Sequence, residues 1–207
     1  EAKLHGIKTG TPVHEAMARC PDIAIVEARP ARYVDLHHRL IAAIQDCIPI
    51  DGEPLSIDEV ACRLIGRERQ RDNAIAIAHR IKQTLIDRGL APAIRCSIGI
   101  APNTFLAKTA SDMQKVDGLT VVELGDLPQA LHRLELQDLC GVGPSMLQRL
   151  RDAGIDTVEQ LTAAPREHLR HLWLPWPDAA AKCFSWTNRA AIEALPERAR
   201  ATSRRSA

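Results

Sequence analysis

Ile94, Cys96, Ile98 and Ile100 alternate with Arg95, Ser97 and Gly99, a period of two that places one set of side chains on each face of a strand. A strand needs a partner, so this run commits the chain to a sheet. The flanking patterns limit which sheet. Leu36, Leu40, Ile44 and Cys47 recur along one side of a helix over about 32–48, and Ile77, Ile81 and Leu85 do so over about 72–88, where Gly89 ends the helix. Between the two helices, 49–52 is a turn, and 55–65 reads as one or two strands bent near Asp58-Glu59. A helix at about 103–113 and a short strand at 119–122 follow. Helix, hairpin, helix, strand over 28–101 predicts an α+β sheet with helices on one face.

The ends read differently. Thr11-Pro12 opens a short helix, with threonine as cap and proline at the first helical position. Val13, Ala16, Met17 and Cys20 share its apolar face, Pro21 stops it, and 23–26 reads as a strand. After Glu123 the chain turns to short helices joined by glycine and proline. Residues 136–140, then Gly141-Val142-Gly143, then 144–153 spell helix, tight hairpin, helix, and Thr157-x-x-Gln160 is a capping box for the next helix. Past Pro196 the stretch bearing Arg198, Arg200, Arg204 and Arg205 is poor in apolar residues and reads as a linker to a further domain.

At 207 residues the chain can bury one large or two modest cores. No run reaches the roughly 18 apolar residues that would cross a membrane, and Glu1 is followed by polar residues rather than a secretory signal. The six cysteines lack C-x-x-C or metal-ligand spacing, so reduced structural thiols in a cytoplasmic protein are expected. The net charge is only +1, and any nucleic-acid binding must rest on local sites.

Three local sites stand out. Asp58 and Glu59 are adjacent carboxylates at a bend, hard oxygen ligands of the kind that hold magnesium for phosphoryl transfer. Taken alone, the pair reads as an ordinary hairpin dipeptide rather than a catalytic one. Gly141 and Gly143, with Ser145 just inside the following helix, form a turn whose amides can approach an anion. Grip on a DNA backbone without sequence readout is favoured there over a purely structural turn. Lys108 and Lys115 flank a helix from which they reach phosphates or simply meet solvent. His37-His38 has no acidic or cysteine partner at ligand spacing, and Trp173, Trp176 and Trp186 read as packing of small helices.

These signals occur in one order. Glu1-Ala-Lys-Leu-His-Gly-Ile, ending in Pro12, resembles the E-A-R-x-x-G-[IV] stretch of Y-family (DinB/UmuC-like) translesion DNA polymerases. Ser56-Ile57-Asp58-Glu59 resembles their S-[IV]-D-E motif. Ser97-Ile-Gly-Ile-Ala-Pro-Asn103, Leu106-Ala-Lys-Thr-Ala-Ser-Asp-Met113 and Lys115-Val-Asp-Gly118 are similar to their lysine-bearing segment, and Leu139-Cys-Gly-Val-Gly143 to their thumb hairpin. The resemblance spans most of residues 1–195.

It implies an incomplete ferredoxin-like palm followed by a small all-α helix-hairpin-helix thumb. The segments would be the end of a fingers region at 1–27, palm at 28–122, thumb at 123–195 and a basic linker at 196–207 leading to a little-finger domain. Asp58 and Glu59 would be catalytic metal ligands, for two magnesium ions in the intact enzyme. Lys3 and Lys115 would bind the incoming dNTP, Lys108 would contact DNA phosphate, and Gly141, Gly143 and Ser145 would hold the primer strand. Damaged primer-template DNA, dNTPs and a sliding clamp reached through a further C-terminal region are the implied partners, and the SOS response the setting.

Departures accompany the match. Lys3 stands for an arginine and loses its bidentate geometry. Val60-Ala61-Cys62-Arg63 replaces A-[FY]-L-D, Thr104 a lysine and Val116 a proline. The family's D-x-D strand would precede Glu1, and a chain lacking that carboxylate is expected not to turn over. A non-catalytic adaptor of mutagenic repair, or a plain DNA-binding module at 136–172, are the competing readings.

Overall fold

The computed structural model describes residues 2–91 and 93–173. They belong to two compact units, 1–39 and 40–207.

The first unit begins with a 3-10 turn at Ala2–His5 and helix α1, Val13–Arg19. Thr11 does not cap that helix. Its hydroxyl accepts from the Lys8 amide at 3.0 Å and closes a preceding turn, leaving Pro12 at the cap position. Only Ala16 of the expected apolar face is buried, and Val13 and Met17 lie exposed. Arg19 instead fastens the helix, bonding the Gly6 carbonyl and Glu15, both at 2.5 Å. Residues 23–26 form no strand. No described segment offers them a ladder, and a lone apolar run cannot satisfy its own backbone groups in that conformation. Helix α2, Pro30–Gln45, runs across the division between the units.

In the second unit Ala43 of α2 and Ile48 beyond it are buried, while Leu40, Ile44 and Cys47 are half-buried. The expected strands at 55–65 are absent. One antiparallel bridge joins Ile50 to Cys62, and the Asp51 amide donates to the Ala61 carbonyl at 2.8 Å. Inside that excursion the Leu55 and Ser56 amides both turn back to the Glu59 carbonyl, at 2.8 and 3.2 Å. Those donors are spent within a tight turn, so no ladder extends from it.

Helix α3, Arg71–Asp87, buries Ala74, Ala78, Ile81 and Leu85, a stripe of spacing 4, 3 and 4. Ile77 is only half-buried, so the inward face is centred on the alanines, which let the helix approach its neighbours closely. Strand β1, Ile98–Ile100, is shorter than the alternating run that signals it. Helix α4, Thr104–Met113, then leads to β2, Leu119–Val121. The strands are parallel, with Ile98 opposite Leu119, Gly99 opposite Thr120 and Ile100 opposite Val121. Helix α4 lies across both strands and α3 touches β1. The architecture is thus mixed helix and sheet around a small parallel sheet.

Beyond β2 the chain makes 3-10 turns at Leu124–Asp126, Gln129–Leu131 and Leu136–Asp138. Helices α5 (Pro144–Asp152), α6 (Val158–Ala163) and α7 (Arg166–Trp173) follow. The helix expected at 136–140 is only a 3-10 turn. The capping box is as read: Thr157 Oγ1 accepts from the Gln160 amide at 3.1 Å, and Gln160 Oε1 from the Thr157 amide at 3.2 Å. Leu131, Leu136, Leu150, Val158 and Leu169 form the core of this region, joined by Leu106 from α4. Trp176, Trp186, Cys183 and the arginines of 198–205 lie outside the described residues. Among the described residues no helix is long and apolar enough to cross a membrane.

Candidate functional site

The Asp58-Glu59 pair sits on the tight turn between Leu55 and Glu59. Ser56 Oγ donates to Asp58 Oδ1 at 2.8 Å and accepts from the Asp58 amide at 3.3 Å, which fixes an otherwise exposed carboxylate. Glu59 is half-buried, and its Oε1 accepts from Lys108 Nζ at 2.5 Å. Lys108 also lies 3.3 Å from Asp112 Oδ2, while Asp112 Oδ1 holds Lys115 Nζ at 2.6 Å. Glu59, Lys108, Asp112 and Lys115 therefore form a row of alternating charges.

Local structure explains the row. Asn103 caps α4 by accepting from the Leu106 amide at 2.9 Å, which fixes where the helix starts and therefore which way it faces. Positions 108 and 112 are then one turn apart on a single face, and 115 lies three positions further on. Asp112 is the residue that sequence reasoning passed over as a site member, although its spacing from Lys108 and Lys115 carried the signal. Lys108, read from the sequence as a contact for DNA phosphate, has its ammonium committed to the two carboxylates.

Partial burial works against the charged form of Lys108. Hydrogen bonds and attraction from Glu59 and Asp112 outweigh it, raising the pKa above the ordinary 10.5. The folded value exceeds the unfolded one, so the stabilisation is complete below 10.5 and fades as pH rises through the raised value. Lys108→Met is accordingly expected to lower stability by about 1 kcal/mol in urea unfolding at neutral pH. The gap from the unaltered chain should close in strongly alkaline buffer. A gap that persists there would mean that packing, not the ion pairs, is what the lysine contributes.

Asp58 and Glu59 supply oxygen donors of the type that magnesium prefers, and Lys108 on Glu59 shows that positive charge is stable at that carboxylate. Among the described residues no group of three His, Cys, Asp or Glu side chains is gathered for a metal. The donors present fit in kind and contribute part of a ligand set. Burial first, then the charges of Asp51 and Cys96, push the Cys62 thiol up to about 11, which favours its protonated form.

Lys115 begins the loop that leads into β2, and its side chain is mostly exposed. Asp117, two residues on, adopts a left-handed φ of 65°. Lys82 of α3 reaches this loop, a contact that a separation of 35 residues hides from any reading of the sequence. Lys3 belongs to the first unit, exposed on its 3-10 turn.

The glycine hairpin is as bare as its sequence suggests. Gly141 has φ 90°, Gly143 precedes α5 with extended backbone, and Ser145 is in the first turn of that helix, all three exposed. Buried Val142 anchors the turn between them. A Cβ added at either glycine would meet nothing within 4 Å, so the open side is free for a ligand to approach the backbone closely.

The family model for the impB/mucB/samB family matches residues 1–112. The chain belongs to that family, and the Y-family resemblance of its motifs is borne out. DNA polymerase IV of Pelotomaculum thermopropionicum is 36% identical over 170 residues, covering 82% of this chain and 41% of that protein. DNA polymerase IV of Moorella thermoacetica is also 36% identical over 170 residues, covering 82% and 42%. The crystal structure of a DinB family error prone DNA polymerase from Sulfolobus solfataricus superposes with a TM-score of 0.74 at 26% identity, covering 89% of this chain and 56% of that one. The chain thus spans less than half the length of these curated relatives.

Proposed function

We propose that the whole protein is a template-directed DNA polymerase of the Y family, adding dNTPs to a primer in lesion bypass. The observation that carries this reading is the row from Glu59 through Lys108 and Asp112 to Lys115, within a chain of this family. It links a turn bearing two carboxylates to a lysine suited to a triphosphate.

Asp58 and Glu59 are the catalytic carboxylates in this reading and hold magnesium, two ions in the intact enzyme. When bound, magnesium favours the nucleophilic form of the primer 3′-hydroxyl and offsets charge on the transferred phosphoryl group. Ser56 orients Asp58, and Lys108 orients Glu59. This holding role is preferred for Lys108 over the DNA-phosphate contact expected from the sequence. Lys115 and Lys3 attract the triphosphate, Lys3 as a point charge rather than an arginine fork. Gly141, Gly143 and Ser145 grip sugar-phosphate of the primer without reading its sequence.

The sheet region at 28–122 is assigned as a ferredoxin-like palm, with 1–27 as the end of the fingers. Residues 123–195 are assigned as a helix-hairpin-helix thumb and 196–207 as a basic linker. Damaged primer-template DNA, a sliding clamp, the cytoplasm and the SOS response are the partners and setting this function implies.

The test is primer extension by the whole protein on a lesion-bearing template, with magnesium and then with a chelator in excess. Extension that the chelator abolishes supports the polymerase. DNA binding without extension under either condition would leave a non-catalytic adaptor of mutagenic repair.

A further inference from the structure

Lys82 is the least exposed lysine among the described ion pairs, its side chain 18% exposed. Its ammonium has three donors, and three oxygens surround it. They are the Cys96 carbonyl at 2.7 Å, the Asp117 carbonyl at 2.6 Å and Asp117 Oδ1 at 2.6 Å. Cys96 leads into β1, and Asp117 is in the loop that carries Lys115 into β2. One side chain from α3 therefore ties the approach to one strand to the approach to the other.

The Asp117 end is where the tie acts. Asp117 holds a left-handed φ of 65°, which aspartate adopts more readily than most residues but less freely than glycine, and bonds to both its carbonyl and its carboxylate hold it there. The loop has little slack on its other side. A Cβ at Gly118 would fall 2.0 Å from the Gln114 carbonyl oxygen, so Gly118 is packed against the end of α4. With Asp117 held by Lys82 and Gly118 packed against Gln114, the backbone just after Lys115 is held in place. Its side chain is left to meet Asp112 and solvent.

We infer that Lys82 is a positioning residue for nucleotide binding, setting the 115–118 loop so that Lys115 is presented to the triphosphate. The inference rests on the assignment of Lys115 as a nucleotide-binding residue. It makes Lys82 a group that never touches substrate yet alters substrate affinity. A purely structural lysine would change stability and leave nucleotide affinity alone.

The experiment compares Lys82→Met, Asp117→Asn and Lys115→Ala in the whole protein. It reads hydrogen exchange of the Ile98 amide, which donates to the Gly118 carbonyl at 3.0 Å, and KM for dNTP beside kcat in primer extension. Asp117→Asn keeps the backbone acceptor and removes only the ion pair, so it serves if Lys82→Met folds poorly. Lys82→Met should speed exchange of the Ile98 amide by about tenfold or more, the equilibrium factor for losing hydrogen bonds to a charged group. KM for dNTP should rise several-fold with kcat largely kept, and Lys82→Met should add little in a Lys115→Ala background. Unchanged exchange overturns the inference, as does faster exchange with unchanged KM where Lys115→Ala itself raises KM. If Lys115→Ala leaves KM unaltered, the nucleotide assignment of Lys115 fails, and with it the role given to Lys82, whatever the exchange shows.

Discussion

Replacing Asp58 and Glu59 together by alanine should lower primer extension by the whole protein about a thousandfold or more, while DNA binding persists. The magnitude follows from the role given to the pair. Bound metal contributes several kcal/mol of charge stabilisation in the transition state, and each 1.36 kcal/mol is a factor of ten in rate. Both carboxylates are removed because either one alone can keep part of a metal site. The fold should survive the change. Asp58 is exposed on its turn, and losing Glu59 leaves Lys108 with Asp112 still in reach. Unfolding free energy should fall by only about 1 kcal/mol. Lost extension with an intact melting transition would therefore report chemistry rather than misfolding. Extension at an undiminished rate would remove the pair from catalysis.

Gly99→Ala should destabilise the chain by about 3 kcal/mol or more, at the upper end of what overpacking produces. A Cβ at this position would lie 1.9 Å from the Ala107 carbonyl oxygen and 2.5 Å from the Ser111 amide nitrogen. Both are backbone atoms of α4 and cannot rotate away, so relief requires moving the helix off β1. Lys108 and Asp112 ride on that helix, so the row of charges would shift with it. Gly125→Ala is the control, because a Cβ there meets nothing within 4 Å, and its effect should be within about 0.5 kcal/mol. Denaturant unfolding of the two variants side by side measures the difference. Equal stabilities would show that α4 is not seated on the strand.

Helices were legible where apolar spacing was sustained, and strands were legible only where a partner lay close by. The sequence marks α2, α3, α4 and α5 to within a few residues, because periodic burial and caps such as Asn103 and Thr157 are local signals. It marks β1 and β2 because they flank a single helix. Residues 23–26 and 55–65 carry equally strong apolar character, yet no ladder forms, since pairing depends on a second segment and not on composition. The same limit governs the site. The carboxylate pair, Lys115 and the glycine hairpin are contiguous motifs and could be read directly. The bond from Lys108 to Glu59 spans 49 positions and that from Lys82 to Asp117 spans 35, so neither leaves a periodic trace.

The β1–α4–β2 unit also bears on the order in which the site assembles. Ile98 and Leu119 are partners, so the sheet closes over a short stretch of chain whose middle is already a capped helix. Loop-closure entropy grows with the length closed, and local pairings come early in folding for that reason. Lys108 and Asp112 would be set at their mutual spacing while the chain is still largely open, and Glu59 would join from far away in sequence as a late arrival. In folding kinetics, substitutions within 98–121 should then slow folding, whereas Glu59→Gln should mainly quicken unfolding. The lysine-bearing side of the candidate site would thus exist as a preformed half, and the acidic turn would dock onto it last.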